Sequence, residues 1–172
     1  HGRQQFKQND KYKGNVEDPL VQLRLEDLRE NELVPFGKAI KHGVDAVMTS
    51  HGSFPFIDHS SPSGIPATFS PIITNNLLRN ELGFDGLIVT DALNLPMLRK
   101  LYPMSEIAKR AFIAGADLLV ILGTPEEVKD AIKGIKEALF SGEITETDID
   151  SRLERLFKLK KNIPQINFPL DE

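Results

Sequence analysis

Gly86-Leu87-Ile88-Val89-Thr90-Asp91-Ala92-Leu93-Asn94-Leu95 is the stretch that decides the fold. Leu87, Ile88 and Val89 form a continuous apolar run without period-two alternation, the pattern of a strand covered by helices on both faces. A carboxylate is costly to bury against such a strand, so Asp91 is expected at its open end, where chemistry can use it. A strand-end aspartate that merely caps the next turn is the plainer alternative.

Upstream of this stretch, Ser70-Pro71 predicts a helix start, with serine as N-cap and proline in the first turn. Ile73, Leu77 and Leu78 give that helix an apolar face, and Gly83 ends it. Residues 51–69 hold Gly52, Gly64, Pro55, Pro62 and Pro66 and predict a long loop, a length more often functional than not. Val44–Thr49 is a short strand candidate. Before it, a helix over Leu25–Lys41 is expected, interrupted near Pro35, with Leu33, Phe36 and Ile40 on one face and Gly43 just past its end. Residues 3–19 are polar and read as a loop.

Downstream, a helix over Ser105–Ala114 stops at Gly115, and Asp117–Leu122 is a third buried strand candidate. Thr124-Pro125-Glu126-Glu127 combines an N-cap, a first-turn proline and a capping-box glutamate. Val128, Ile132, Ile135 and Leu139 carry that helix onward at helical spacing. A last helix over about 147–161 sets Ile149, Leu153, Leu156 and Phe157 on one face and ends in lysines that favour its dipole. Repeated β–α units of this kind predict a parallel sheet, either doubly wound or part of a (β/α)8 barrel.

The 172 residues suit one domain of ordinary size, with 40% hydrophobic and 27% charged residues. A net charge of −4 and a pI near 5.6 argue against nucleic acid or an anionic membrane as the main partner. No apolar run is long enough to span a bilayer. The sequence contains no cysteine, which excludes disulfides and thiolate metal sites but leaves the compartment open, cytoplasmic or secreted. The chain opens on His1-Gly2 without methionine or an apolar leader, which predicts a piece of a longer polypeptide.

Several blocks resemble glycoside hydrolase family 3, in its β-N-acetylglucosaminidase (β-hexosaminidase) branch. Glu32-Leu33-Val34-Pro35-Phe36 resembles the family's "ELxPF", and Gly43 to His51 resembles "GVDAVMTAH". Pro66-Ala67-Thr68-Phe69-Ser70 resembles "PATxS", Leu77 to Gly86 resembles "LLRxELGFDG", and Thr90 to Leu95 resembles "TDDLxM". The blocks follow the family's order and spacing over roughly residues 32–122. Thr90-Asp91-Ala92-Leu93-Asn94-Leu95 is closer to that form than to the "SDW" usual in β-glucosidases.

The resemblance implies an α/β protein of the (β/α)8 TIM-barrel type, of which this chain carries about the C-terminal half, strands six to eight plus a terminal helix. Residues 1–163 would form that half-barrel and 164–172 an extended tail. Asp91 would then follow strand seven at the face where barrel active sites are built. In the family this aspartate is the nucleophile of a retaining mechanism, which forms a covalent glycosyl-enzyme. The implied partners are an N-acetylglucosamine-containing glycan or peptidoglycan fragment and the remaining half of the barrel; no cofactor or metal is called for.

The branch also carries "KHFPGHG" and then "DSH", whose His-Asp pair is the acid/base. His1-Gly2 matches the end of the first motif, but Lys13-Gly14-Asn15 stands where the second is expected. Neither Lys13 nor Asn15 replaces a histidine acid near neutral pH. Asp10, Glu17 and Asp18 are the carboxyls available in that loop, and nothing local selects among them. This departure supports an alternative, a non-catalytic glycan-binding or structural homologue. A third reading, a phosphate-handling barrel, rests on Gly123-Thr124 before a helix.

His51, just past the first strand, is a candidate for touching substrate or orienting Asp91; a hydrogen-bonded loop histidine is the plainer alternative. Asp58 reads as an Asx-turn residue, His59 as solvent-exposed, and His42 as a partner for its helix's C-terminus. Arg79 and Glu81 read as a solvated helix face.

Overall fold

The computed structural model describes residues 21, 23–60 and 64–162. Strands β1 (Ala46–Thr49) and β2 (Leu87–Thr90) pair in parallel, in register from Ala46 with Leu87 to Thr49 with Thr90. Both lie within the segments expected from the sequence. A parallel β–α–β connection of this length needs a helix between the strands, and Ile72–Glu81 supplies it, wound in the wide π form.

The third segment differs from expectation. Residues 117–122 run parallel beside β2, but only Val89 and Leu118 form a ladder bridge. Side chains take the places of ladder partners. Asp117 Oδ2 accepts the Ile88 N–H (2.7 Å) and Thr90 Oγ1 accepts the Val120 N–H (3.0 Å). Backbone bonds complete the alignment, with Thr90 N–H donating to the Leu118 carbonyl (3.0 Å) and Leu93 N–H to that of Val120 (2.8 Å). Nor is this segment buried on both faces, since Leu118 and Leu122 are exposed.

Ahead of β1 the expected single helix is divided. A short α1 (Leu25–Asp27) leads into a wide-wound turn (Leu28–Glu32), and α2 (Val34–Lys41) restarts with Pro35 in its first turn. Proline has no N–H to donate to the preceding turn, so the break falls just before it. α2 ends as predicted. Gly43 at φ +77° donates to Ile40, while Val44 donates to Ala39 (3.1 Å), the two bonds of a Schellman cap.

The remaining helices are α3 (Pro96–Arg99), α4 (Met104–Ala114), α5 (Pro125–Ser141) and α6 (Glu146–Asn162). Among the described residues the main core joins Phe69, Leu93, Leu98, Met104, Ile107 and Ala131. It seats α4 and α5 against the loop that follows β2. Gly134 permits this approach, because a Cβ there would lie 2.6 Å from the carbonyl carbon of Ser105.

α6 meets its expected mode of burial only in part, with Ile149 packed beside Phe112, Ala138 and Ile144. Leu153 and Phe157 remain exposed. Instead Arg152 donates to the carbonyls of Ala116 (3.1 Å) and Phe112 (2.9 Å) and stacks 4.0 Å above the Phe112 ring. Arg155 pairs with Asp117 (2.7 Å). Arg79 likewise is no solvated residue. It is half-buried, pairs with Asp117, and donates to the carbonyls of Phe84 (2.9 Å) and Gly86 (2.5 Å). A long guanidinium can leave its helix face and reach under the strand ends, which helical periodicity does not register. Glu81 is exposed, as expected, and paired with Arg29. The proposed tail, 164–172, lies outside the described residues.

Candidate functional site

Asp91 stands one residue beyond β2, at the strand's C-terminal end, half-buried. Four successive residues are held here from both sides. Asp91 N–H donates to the Thr49 carbonyl at the end of β1 (3.2 Å). The Ala92 carbonyl accepts a hydrogen bond from the His51 ring (3.0 Å). Leu93 N–H reaches the Val120 carbonyl, and its side chain is fully buried in the main core. Asn94 Oδ1 accepts the Leu122 N–H (3.0 Å). The carboxylate itself accepts the Ala92 N–H on Oδ1 (2.7 Å). A carboxylate fixed in this way is presented rather than folded into the core.

His51 is 4% exposed. A carbonyl only accepts, so the bond to Ala92 places a proton on Nε2; Nδ1 lies 2.9 Å from Thr68 Oγ1. Burial lowers its pKa, against the upward pull of the Ala92 carbonyl and the nearby Asp91 charge, so the ring is neutral near pH 7. The expected substrate contact through His51 finds no free ring nitrogen in this arrangement. Orientation of the Asp91 loop, the other role considered for it, fits the contacts.

Thr68 was not singled out from the sequence. Its signal was a hydroxyl between Ala67 and Phe69, two residues that are themselves buried. Asp58 forms the expected Asx turn, accepting the Ser60 N–H (3.0 Å), and also accepts from Ser70 Oγ (2.5 Å). Burial would raise its pKa, but the hydrogen bonds from Ser60 and Ser70 outweigh that and hold it below the usual carboxylate range. Asp58 thus ties the long loop to the start of the helix 72–81. Ser70 Oγ accepts the Ile73 N–H (3.2 Å), the capping role its position predicted. His42 Nδ1 meets the Lys38 carbonyl at the end of α2 (2.8 Å).

Thr124 and Glu127 form the reciprocal capping box at the start of α5. The Glu127 carboxylate fills the space where a Cβ of Gly123 would stand. A negative group already occupies that helix N-terminus, which disfavours a phosphate there. Among the described residues no cluster of histidine and carboxylates could hold a metal, and no helix is long and apolar enough to cross a membrane. Lys13, Asn15, Asp10, Glu17 and Asp18 lie outside the described residues. An apolar cavity lies elsewhere, between α2, the helix 72–81 and β1, lined by Leu28, Phe36, Val47, Phe54, Leu77 and Leu78.

Parallel strands joined through a helix, with a carboxylate presented at the strands' C-terminal ends, define the class as an α/β protein. Comparison with known families resolves it further. Residues 8–159 match the glycosyl hydrolase family 3 N-terminal domain, and the chain belongs to this family. A β-N-acetylglucosaminidase of that family from Paenibacillus sp. str. FPU-7 superposes with a TM-score of 0.80 at 38% identity, covering 90% of this chain and 30% of that one. A β-hexosaminidase of Chromobacterium violaceum is 33% identical over 109 residues, 63% of this chain and 29% of the relative. An uncharacterized secreted glycosyl hydrolase of Arthroderma benhamiae is 30% identical over 144 residues, 83% of this chain and 40% of its own length. The chain therefore spans less than half the length of these relatives.

Proposed function

We propose that this chain is part of a retaining glycoside hydrolase that removes terminal β-linked N-acetylhexosamine, with Asp91 as nucleophile. The observation that carries the proposal is the presentation of Asp91 at the C-terminal end of β2, held through Thr49, Ala92 and Val120. The relatives' names supply the substrate class. The Asp91 carboxylate attacks the anomeric carbon as the glycosidic bond breaks, and the leaving oxygen takes a proton from an acid. Water, deprotonated by the same group, then displaces Asp91.

β1, β2 and residues 117–122 correspond in this proposal to strands six to eight of the barrel, and the other strands complete the sugar site. The acid/base would come from the residues before Val21 or from the rest of the barrel.

The test uses the full-length protein and an aryl β-N-acetylglucosaminide with an activated leaving group, which needs little acid assistance. Wild type is expected to release a burst of phenol and to form a glycosyl adduct on Asp91, while Asp91→Asn does neither. No turnover and no adduct in the wild type would refute the proposal. Sugar binding without turnover would instead identify a glycan-binding homologue.

A further inference from the structure

The peptide between Ala92 and Leu93 is gripped at both ends. Its carbonyl accepts from His51 Nε2–H (3.0 Å), on the β1 side. Its N–H donates to the Val120 carbonyl (2.8 Å), on the opposite side. The preceding peptide supplies the Ala92 N–H that holds Asp91 Oδ1 (2.7 Å). One Cα separates the two peptide planes, so a rotation of the outer plane swings the donor that orients the carboxylate.

The inner end of the His51 ring is also controlled. Thr68 Oγ1 lies 2.9 Å from Nδ1, 2.9 Å from the Ser50 carbonyl and 3.1 Å from Thr49 Oγ1. A threonine hydroxyl has one hydrogen to give. With the ring neutral and its proton on Nε2, Nδ1 is an acceptor, and the Thr68 hydrogen, which the Ser50 carbonyl also accepts, is the one that can meet it. If Nδ1 also carried a proton, Thr68 would have to turn its hydrogen to Ser50. Burial favours the first arrangement, in which the Nε2 proton is committed to Ala92 and no positive charge stands beside Asp91.

We propose that His51, held in its Nε2–H tautomer by the Ala92 carbonyl and braced at Nδ1 by Thr68, is a positioning residue for the nucleophile, acting through that carbonyl rather than touching substrate. The proposal rests on the assignment of Asp91 as the glycosyl nucleophile. It assigns the two threonines and the histidine to one device, built from residues that are all buried.

Full-length wild type, Asp91→Asn, His51→Phe, His51→Gln and Thr68→Val are compared on the aryl β-N-acetylglucosaminide. Phenylalanine keeps the ring volume without a donor; glutamine returns an N–H near the Nε2 position. His51→Phe is expected to lower kcat by about 10²-fold, the scale of a misplacement near 1 Å, with KM within about twofold. His51→Gln is expected to recover at least about tenfold of that loss, and Thr68→Val to fall between them, as partial restoration of the alignment requires.

A kcat for His51→Phe within about threefold of wild type, or no recovery in His51→Gln beyond its recovery in thermal stability, would overturn the positioning role. A rise in KM with kcat unchanged would overturn it in favour of direct substrate contact. Should His51→Phe fail to fold, His51→Gln and Thr68→Val decide the matter, since wild-type kcat in Thr68→Val refutes it. An inactive wild type, or an Asp91→Asn variant as active as wild type, would instead overturn the nucleophile assignment and this role with it.

Discussion

Asp117→Asn should destabilise the protein far more than its place at a strand end suggests. The Asp117 side chain is 1% exposed and meets Arg79, Arg155 and the Ile88 N–H of β2. Burial, and after it the Arg155 charge, lowers the Arg79 pKa, and Asp117 is the principal opposing charge. Neutralising it leaves a half-buried guanidinium without its counter-ion. Removing one partner of a buried pair costs about 3–5 kcal/mol. Asparagine retains one oxygen, and Arg79 retains the carbonyls of Phe84 and Gly86, so the low end applies, about 3 kcal/mol. Arg155 is more exposed, at 29%, and Arg155→Gln should cost about 1 kcal/mol or less. Urea unfolding followed by circular dichroism gives both values, provided the slope m is unchanged. A loss below about 0.5 kcal/mol for Asp117→Asn, or equal losses for the two variants, would refute the buried-charge argument.

Two further outcomes follow from particular contacts. His51 titrates below its ordinary value of 6.5 in the folded protein, so below about pH 6.5 the unfolded chain binds the extra proton and stability falls as pH drops. Above that pH its contribution is complete, so His51→Gln should flatten the acid limb of a stability–pH curve, and an unchanged limb would contradict this. Gly134→Ala gains about 1 kcal/mol of helix propensity, but its Cβ meets the Ser105 backbone, which cannot swing aside. Overpacking of about 1–3 kcal/mol should win; a variant more stable than wild type in urea would show that α4 and α5 can part.

Much of the fold was legible because it depends on local rules. The apolar run Leu87–Val89 formed β2, and the glycine after α2 adopted the predicted cap. Asp58 made its Asx turn and Asp91 its expected place, since both follow from neighbours in the chain. What escaped was set by partners far away in sequence. Arg79 sits on a helix whose pattern assigns it to solvent, yet Asp117 lies 38 residues on. His51 meets the Ala92 carbonyl 41 residues away, a contact that no spacing announces. The apolar residues of α6 promised a buried stripe, but Leu153 and Phe157 remained exposed, and arginines joined Ile149 in making the attachment.

The side chains that stand in for ladder partners along β2 also determine alignment. A regular parallel ladder repeats every two residues, so a slip of two preserves both its bonds and its side-chain faces. Residues 117–122 have no such degeneracy. The Asp117 carboxylate takes Ile88, the Thr90 hydroxyl takes Val120, and the Asn94 amide takes Leu122, each at one offset only. A two-residue shift would forfeit all three together. The segment is keyed like a ward lock, and the same setting that excludes other alignments fixes the height at which Asp91 emerges from the sheet.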